Sequence, residues 1–166
     1  MRLANLSVGD SVFVDSNPFV YYFQPHALFG PDCQLLLDRI NRHEVAGYTS
    51  THVLTETVHR LMVLEAGLIL GWGQSKIKAK LLKNPGAFSK LTLFRGALDT
   101  ILWSQVRVLH IAPTDLVSAA AISQQIGLLS SDALIVALMR ANGIDKLASN
   151  DADFDHVPGL TRYEAT

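Results

Sequence analysis

The stretch "VFVDSNPFVYYF" at residues 12–23 is decisive for the fold because it reads as a buried strand followed by a helix. Residues 11–14 lack polar alternation, as in a strand covered on both faces. Pro18 favours the first turn of a helix that runs to about Phe23. Between the two lies Asp15, with no Lys or Arg within ten residues on either side. Because a buried charge is costly when unpaired, another part of the fold must compensate Asp15.

The composition is that of one globular domain. Hydrophobic residues make up 49% of the 166 residues and charged residues 17%, which favours a dense core over disorder. The net charge of −1 lacks the strongly basic signature of many nucleic-acid binders. A single cysteine, Cys33, excludes an internal disulfide and a multi-cysteine zinc site. With neither a long apolar run nor a signal-peptide pattern, we expect a cytoplasmic protein that does not bind membranes.

Strand and helix patterns alternate along the chain, which predicts a three-layer α/β domain with a short, mostly parallel central sheet flanked by helices. The predicted strands are residues 11–14, 47–50, 106–111, 146–149 and 160–163. We expect a single domain over residues 1–166, with a helical arm at about 67–104. That arm is interrupted at Gly71, Gly73 and the "NPG" of residues 84–86.

Four acidic residues should lie near one rim of the sheet. Asp15 ends the first strand, and Asp151 and Asp153 follow the fourth. Functional groups of α/β sheets gather beyond the carboxyl ends of the strands. Asp132 begins an apolar helix for which one of the serines at 130–131 is the predicted cap, where the helix dipole favours an anion.

Glu56 lies in a helix that Ser50 or Thr51 would cap and that should run to about Glu65. The predicted core stripe of that helix is Leu54, Val58, Leu61 and Met62. Glu56 falls almost opposite this stripe. Periodicity therefore leaves open whether it is a solvated surface residue or one wall of a cleft.

Each acid has a simpler role on its own: Asp15, Asp132, Asp151 and Asp153 could be turn or cap residues, and Glu56 a surface residue. If they converge, however, their repulsion requires a counter-charge. No Lys or Arg is adjacent in sequence to Asp15, Asp132 or Asp151. Mg²⁺ or Mn²⁺, which prefer oxygen ligands, would supply that charge.

Four segments in this order resemble the PIN domain, and most closely the VapC-type toxin nucleases of toxin–antitoxin pairs: "VFVDSN", "STHVLTETVHRL", "LLSSDALIVALM" and "LASNDADFDHVPGL". The resemblance covers about residues 11–163. It implies a Mg²⁺- or Mn²⁺-dependent endoribonuclease in which metal-activated water attacks the RNA phosphate. It also implies a cognate antitoxin as a protein partner and a homodimer.

The same resemblance assigns residue roles. The implied catalytic carboxylates are Asp15, Glu56, Asp132 and Asp151, and the implied metal ligands are these four together with Asp153. Asn17 and Ser149 would support the site. The fourth ligand is ambiguous between Asp151 and Asp153, and Asn150 is a further residue that could point into the site.

The arm has an unusual charge distribution. Between Ala66 and Leu98 the chain has no acid but several bases, Lys76, Lys78, Lys80, Lys83, Lys90 and Arg95. The first four are candidates for contacts with an RNA backbone, although a solvated helix face accounts for them equally well. The whole pattern is also compatible with a phosphoacceptor at Asp15, with a PIN-fold binding module without catalysis, and with an RNA-processing nuclease that is not a toxin.

Overall fold

A single five-stranded sheet lies at the centre of the computed structural model, which describes residues 1–24, 26–71 and 76–166. The strands are β1 (Ser11–Val14), β2 (Ala46–Ser50), β3 (Arg107–Leu109), β4 (Lys146–Ala148) and β5 (Thr161–Tyr163). All are parallel, in the order β3-β2-β1-β4-β5. The predicted α/β fold with a short, mostly parallel sheet is confirmed.

Helices fill the connections between the strands. They are α1 (Ser16–Phe23), α2 (Gly30–Asn41), α3 (Thr51–Ile69), α4 (Ile77–Lys83), α5 (Leu93–Trp103), α6 (Pro113–Ile126) and α7 (Ser130–Ala141). Short 3-10 helices span Leu3–Asn5, Pro85–Lys90 and Ala152–His156. The helices predicted after the first strand, after residue 50 and after residue 113 are all present.

The central strand β1 is covered on both faces, since Val12, Phe13 and Val14 are all 0% exposed. From β1 the chain steps through β2 to β3 in one direction, and then crosses back to β4 and β5 on the other side of β1. Right-handed crossovers therefore place α1–α5 on one face and α6 and α7 on the other. The strand order reverses between β1 and β4, and a crevice opens at such a point beyond the carboxyl ends of the strands.

Two helices joined by a short turn, α6 and α7, cover the second face of the sheet. Gly127, in the left-handed conformation with φ of 85°, ends α6, and α7 begins three residues later. Residues 133–139 of α7 are all buried, as its apolar sequence predicts. Over the described ranges, no single helix combines the length and hydropathy of a membrane span; only α6 and α7 together reach them, with a bend of 113° between the two.

The predicted cap of α7 is wrong. The helix begins at Ser130, so that its N-cap is Leu129, which has no side-chain hydrogen bond to offer. Ser131 instead places its Oγ 2.7 Å from Nε2 of His52 on α3. The prediction that Asp132 lies in the first turn of this helix is confirmed.

The predicted core stripe of α3 is partly wrong. Val53, Leu54 and Leu61 are buried, while Val58 and Met62 are only half-buried. The buried face includes Thr57, whose hydroxyl donates to the Val53 carbonyl. A stripe drawn through apolar residues alone misses polar residues whose hydrogen bonds are satisfied within the protein. Ser50 caps the helix as predicted, but the helix continues beyond Glu65 to Ile69.

The segment predicted as a helical arm packs against α3. It contains α4, a 3-10 helix and α5, with breaks at Gly71 (φ of 62°) and at residues 84–86; the predicted break at Gly73 lies outside the described residues. A small hydrophobic cluster joins this segment to the end of α3: Ala66, Ile77, Leu81, Ala87 and Leu91. The basic face of α4 is therefore held at a fixed position against α3.

Glu65 connects α3 to α5. Its side chain is buried, and its carboxylate accepts hydrogen bonds from the backbone N–H groups of Thr92 and Leu93 at 2.8–3.1 Å. Those N–H groups lie at the start of α5, where the helix dipole favours a negative charge. The carboxylate thus caps a helix other than its own.

We expect Glu65→Gln to lower the free energy of unfolding by about 1 kcal/mol, because the neutral amide loses the charge-assisted hydrogen bonds to the α5 amides. Urea denaturation monitored by circular dichroism measures the change. Asp99→Asn, an exposed acid within α5, is the matched control and should be nearly neutral. Equal stability of the two variants would show that the cap contributes nothing.

Candidate active site

Asp15 lies immediately beyond β1 and is 6% exposed. Its carboxylate accepts three hydrogen bonds, from the backbone N–H of Ser16 (2.6 Å), Nδ2 of Asn17 (2.9 Å) and the hydroxyl of Ser149 (2.8 Å). Burial raises the pKa of Asp15 above its usual value, and the Glu56 carboxylate adds to that effect; the hydrogen bonds oppose it. Asp15 is therefore held rigidly in one orientation.

Asn17 and Ser149 join the ends of β1 and β4. Asn17 Oδ1 accepts the backbone N–H of Asn150 (2.9 Å), and its Nδ2 also donates to Ser149 Oγ (3.1 Å). Ser149 Oγ in turn accepts the N–H of Asp151 (3.0 Å). Asn150 itself pairs with the backbone of Ala165, so the suggestion that its side chain points among the carboxylates is wrong.

Glu56 reaches the same rim from α3. The hydroxyl of Ser16 donates to its Oε1 (2.9 Å), which links α3 to the first residue of α1. The Glu56 side chain is 36% exposed, so it lines an open cleft rather than a closed core. Of the two positions that periodicity left open for Glu56, the structure favours the wall of the cleft.

Arg60 is a residue of this rim that the sequence analysis missed. Its Nη1 donates to Ser16 Oγ (3.0 Å) and lies 3.7 Å from Oε1 of Glu56. Asp15 has no basic neighbour in sequence, yet this guanidinium acts on it through space and opposes the rise in its pKa. The available signal was the spacing of Glu56 and Arg60, because residues four apart share one face of a helix.

Asp132 shows most directly that the acids converge. It is half-buried in the first turn of α7, and its pKa is raised to about 6. Desolvation is the largest cause, followed by the repulsion of four carboxylates, Asp151, Asp15, Asp153 and Glu56. All five predicted carboxylates therefore lie close enough to interact, although they come from four different segments of the chain.

Asp151 and Asp153 are exposed at the edge of this cluster. Asp151 is the N-cap of the 3-10 helix after β4, and its Oδ1 accepts the N–H of Asp153 (2.9 Å). Asp151 repels Asp132 more strongly than any other carboxylate does, which favours Asp151 over Asp153 as the nearer member of the pair.

The donor set suits a hard divalent cation. Within the ranges that the structure describes, no three His, Cys, Asp or Glu side chains are placed to hold one ion between them. Mg²⁺ is commonly bound by only one or two carboxylates, with water completing its shell. The concentration of negative charge around Asp132 and Asp15 is what such an ion would relieve.

The lysines proposed to contact RNA lie on the exposed side of α4 and just before it. Lys76, Lys78, Lys80 and Lys83 are all exposed. Lys78 lines one cavity together with His59, the α3 residue that precedes Arg60. The basic segment therefore adjoins the helix that contributes Glu56.

We expect Asp132→Asn to stabilise the metal-free protein at neutral pH by about 1–3 kcal/mol. An acid whose pKa is raised by folding costs stability once it ionises. The penalty is absent below the unfolded pKa of about 4, grows between that pH and the folded pKa of about 6, and is complete above it. Thermal unfolding in EDTA at pH 7.5 and pH 4 checks this: the variant should have the higher Tm only at pH 7.5. A Tm difference that does not depend on pH would contradict the electrostatic origin.

Comparison with known proteins shows which family the chain resembles in sequence and in fold. The PIN domain family model matches residues 12–160. The fold resembles Mycobacterium tuberculosis VapC20, a sarcin–ricin loop cleaving toxin, with a TM-score of 0.61 and 20% identity over 89% of this chain and 95% of that one. It also resembles Rickettsia felis VapBC2 bound to promoter DNA (TM-score 0.56, 15% identity, 94% and 99% covered).

A third similar structure is a toxin–antitoxin complex from Klebsiella pneumoniae, with a TM-score of 0.53 and 16% identity over 90% of this chain and 95% of that one. A comparison with curated protein sequences gave no match. The solved structures establish the likeness of fold. The family model extends from β1 past β4 and includes the helices on both faces of the sheet and all five rim carboxylates. The chain belongs to the PIN domain family.

Proposed function

We propose that this protein is a Mg²⁺- or Mn²⁺-dependent endoribonuclease and the toxin of a toxin–antitoxin pair. The observation that carries the proposal is the convergence of five carboxylates from four segments at the carboxyl end of a parallel sheet, which also raises the pKa of Asp132. Such a concentration of negative charge destabilises the protein and needs a compensating function. Its position at the point where the strand order reverses is where α/β proteins bind ligands.

In the proposed mechanism two of the carboxylates are the principal ligands of the cation. Asp15, fixed by Ser149 and Asn17, and Asp132, fixed by the first turn of α7, would be the principal ligands. A bound divalent cation supplies an activated water and stabilises the negative charge that develops on the phosphate.

The remaining acids have supporting roles in the same proposal. Glu56 and Asp151 would accept hydrogen bonds from water and orient it toward the phosphorus. Asp153 would add negative charge at the edge and is a candidate outer ligand. No side chain is required to act as the nucleophile.

RNA is the proposed substrate and a protein antitoxin the proposed partner. The support is the family membership, together with structural relatives that include an RNA-loop cleaving toxin and toxin–antitoxin assemblies. The exposed lysines of the α4 segment, which adjoin the helix carrying Glu56, are the proposed contacts with the RNA backbone.

We also propose that the chain forms a homodimer. The support is three exposed apolar side chains, Leu116 and Val117 near the start of α6 and Leu129 just before α7, which are 55%, 72% and 77% exposed. Burying such side chains is a common reason for self-association. Sedimentation velocity of the purified protein tests this directly.

RNA cleavage is the first test of the proposal. The wild-type protein should cut a mixture of cellular RNAs when Mg²⁺ or Mn²⁺ is present and stop when EDTA is added. Asp15→Asn and Asp132→Asn should each lower the rate by about 10²-fold or more, because each removes an anionic ligand of the cation. Asp99→Asn, on the exposed side of α5, is the matched control and should retain full activity.

Binding of RNA without metal-dependent cleavage would contradict the enzyme and favour a PIN-fold binding module. Activity that survives in both Asp15→Asn and Asp132→Asn would show that the carboxylates do not carry the reaction.

Metal binding can be tested without any RNA. Mn²⁺ should raise the Tm of the wild-type protein, because a ligand that binds only the folded state stabilises it by RT ln(1 + [L]/Kd). At a concentration of about 100 times Kd this amounts to about 2.7 kcal/mol. The rise should be lost in Asp15→Asn and kept in Asp99→Asn. An equal rise in both variants would place the ion elsewhere.

A further inference from the structure

Arg60 places a positive charge beside the reaction centre proposed above. Its guanidinium lies beside Ser16, the residue that follows Asp15, and beside Glu56 on its own helix. Over the described part of the chain, the bond to Ser16 Oγ is the one side-chain hydrogen bond that Arg60 makes. A guanidinium has five N–H donors, so most of its capacity is directed to solvent in the cleft.

Stability does not account for this arginine. The Arg60 and Glu56 side chains are 38% and 36% exposed, and their nearest charged atoms are 3.7 Å apart. Exposed ion pairs with that separation contribute little to stability. The guanidinium also makes no bidentate contact with Glu56, which would be the strong geometry for such a pair.

The backbone that carries Arg60 is held firmly, which suits a positioning role. Its neighbour Leu61 is 0% exposed, and Glu65 one turn later anchors α3 to the start of α5. The guanidinium therefore projects from a rigid helix over the end of β1. A planar group with free donors at this place matches an anion with several oxygens.

We propose that Arg60 binds a phosphate of the RNA backbone at the edge of the carboxylate cluster and so positions the strand for cleavage. The contact uses donors that Ser16 and Glu56 leave free, and it places one positive charge between the carboxylates and the basic α4 segment. Without such a charge the strand would meet mainly anions at this side of the cleft. This inference rests on the proposed ribonuclease function, but it is tested by binding rather than by turnover.

The experiment measures the affinity of a fluorescent single-stranded RNA of random sequence by anisotropy, in EDTA, over a range of salt concentrations. Arg60→Gln should weaken binding by roughly tenfold, because it removes a charge-assisted hydrogen bond. The slope of log Kd against log salt should fall by about 0.7, as expected for the loss of one phosphate contact to a single strand. Arg60→Lys should keep the slope and recover part of the affinity, because the charge remains and the planar fork is lost.

Arg42→Gln is the matched control. Arg42 is also an exposed arginine paired with a glutamate, Glu44. It precedes β2 and so lies at the amino ends of the strands, away from the carboxylates. Its substitution should lower the RNA affinity and the salt slope much less than Arg60→Gln does. The Tm of both variants should remain close to that of the wild type, which separates a loss of binding from a loss of folding.

Two results would overturn the assignment. Equal affinities and slopes for Arg60→Gln and Arg42→Gln would show that Arg60 does not contact the phosphate. An unchanged salt slope together with a weakened Mn²⁺-induced rise in Tm would show that Arg60 only orients Glu56. Cleavage by the wild-type protein is scored separately, so its absence would reject the nuclease while the binding data still decide the role of Arg60.

Discussion

The hydrogen bonds around Asp15 are the interactions on which the rest of the site depends. A carboxylate that is 6% exposed persists here because Ser16, Asn17 and Ser149 donate to it, while Asn17 also binds the backbone that leaves β4. These bonds join the carboxyl ends of two neighbouring parallel strands whose connections diverge to opposite sides of the sheet. They therefore fix the base of the crevice in which the other carboxylates meet.

The electrostatics of the rim follow from that geometry. Asp132 enters from the helix on one face of the sheet, and Glu56 from a helix on the other, so negative charge accumulates where the two layers come together. The guanidinium of Arg60 at the cleft edge compensates part of it. Stability and the proposed function are thus opposed at this place, because the carboxylates that repel one another are the ones that would attract the proposed divalent cation.

Much of this was predictable from the sequence, for identifiable reasons. The apolar run before Asp15 and the buried helix after Asp132 have patterns that admit few alternatives, so the order of the elements and the positions of these acids follow. Glu56 could not be placed by periodicity, because Thr57 and Glu65 are buried with satisfied polar groups and shift the true core face of α3. The contacts of Ser16 and Arg60 depend on how α1 packs against α3, which no local pattern encodes. The cap predicted for α7 was wrong because the helix already begins at Ser130, and Ser131 contacts a histidine from another helix.

We propose that carboxylates from separate segments share one divalent cation. Anomalous diffraction at the manganese edge, from crystals grown with Mn²⁺, is the decisive measurement. We expect a peak at the carboxyl end of β1, with Asp15 and Asp132 bound to the ion directly or through one water. A peak that touches neither residue, or a fully ordered rim that binds no manganese at saturating concentration, would contradict it.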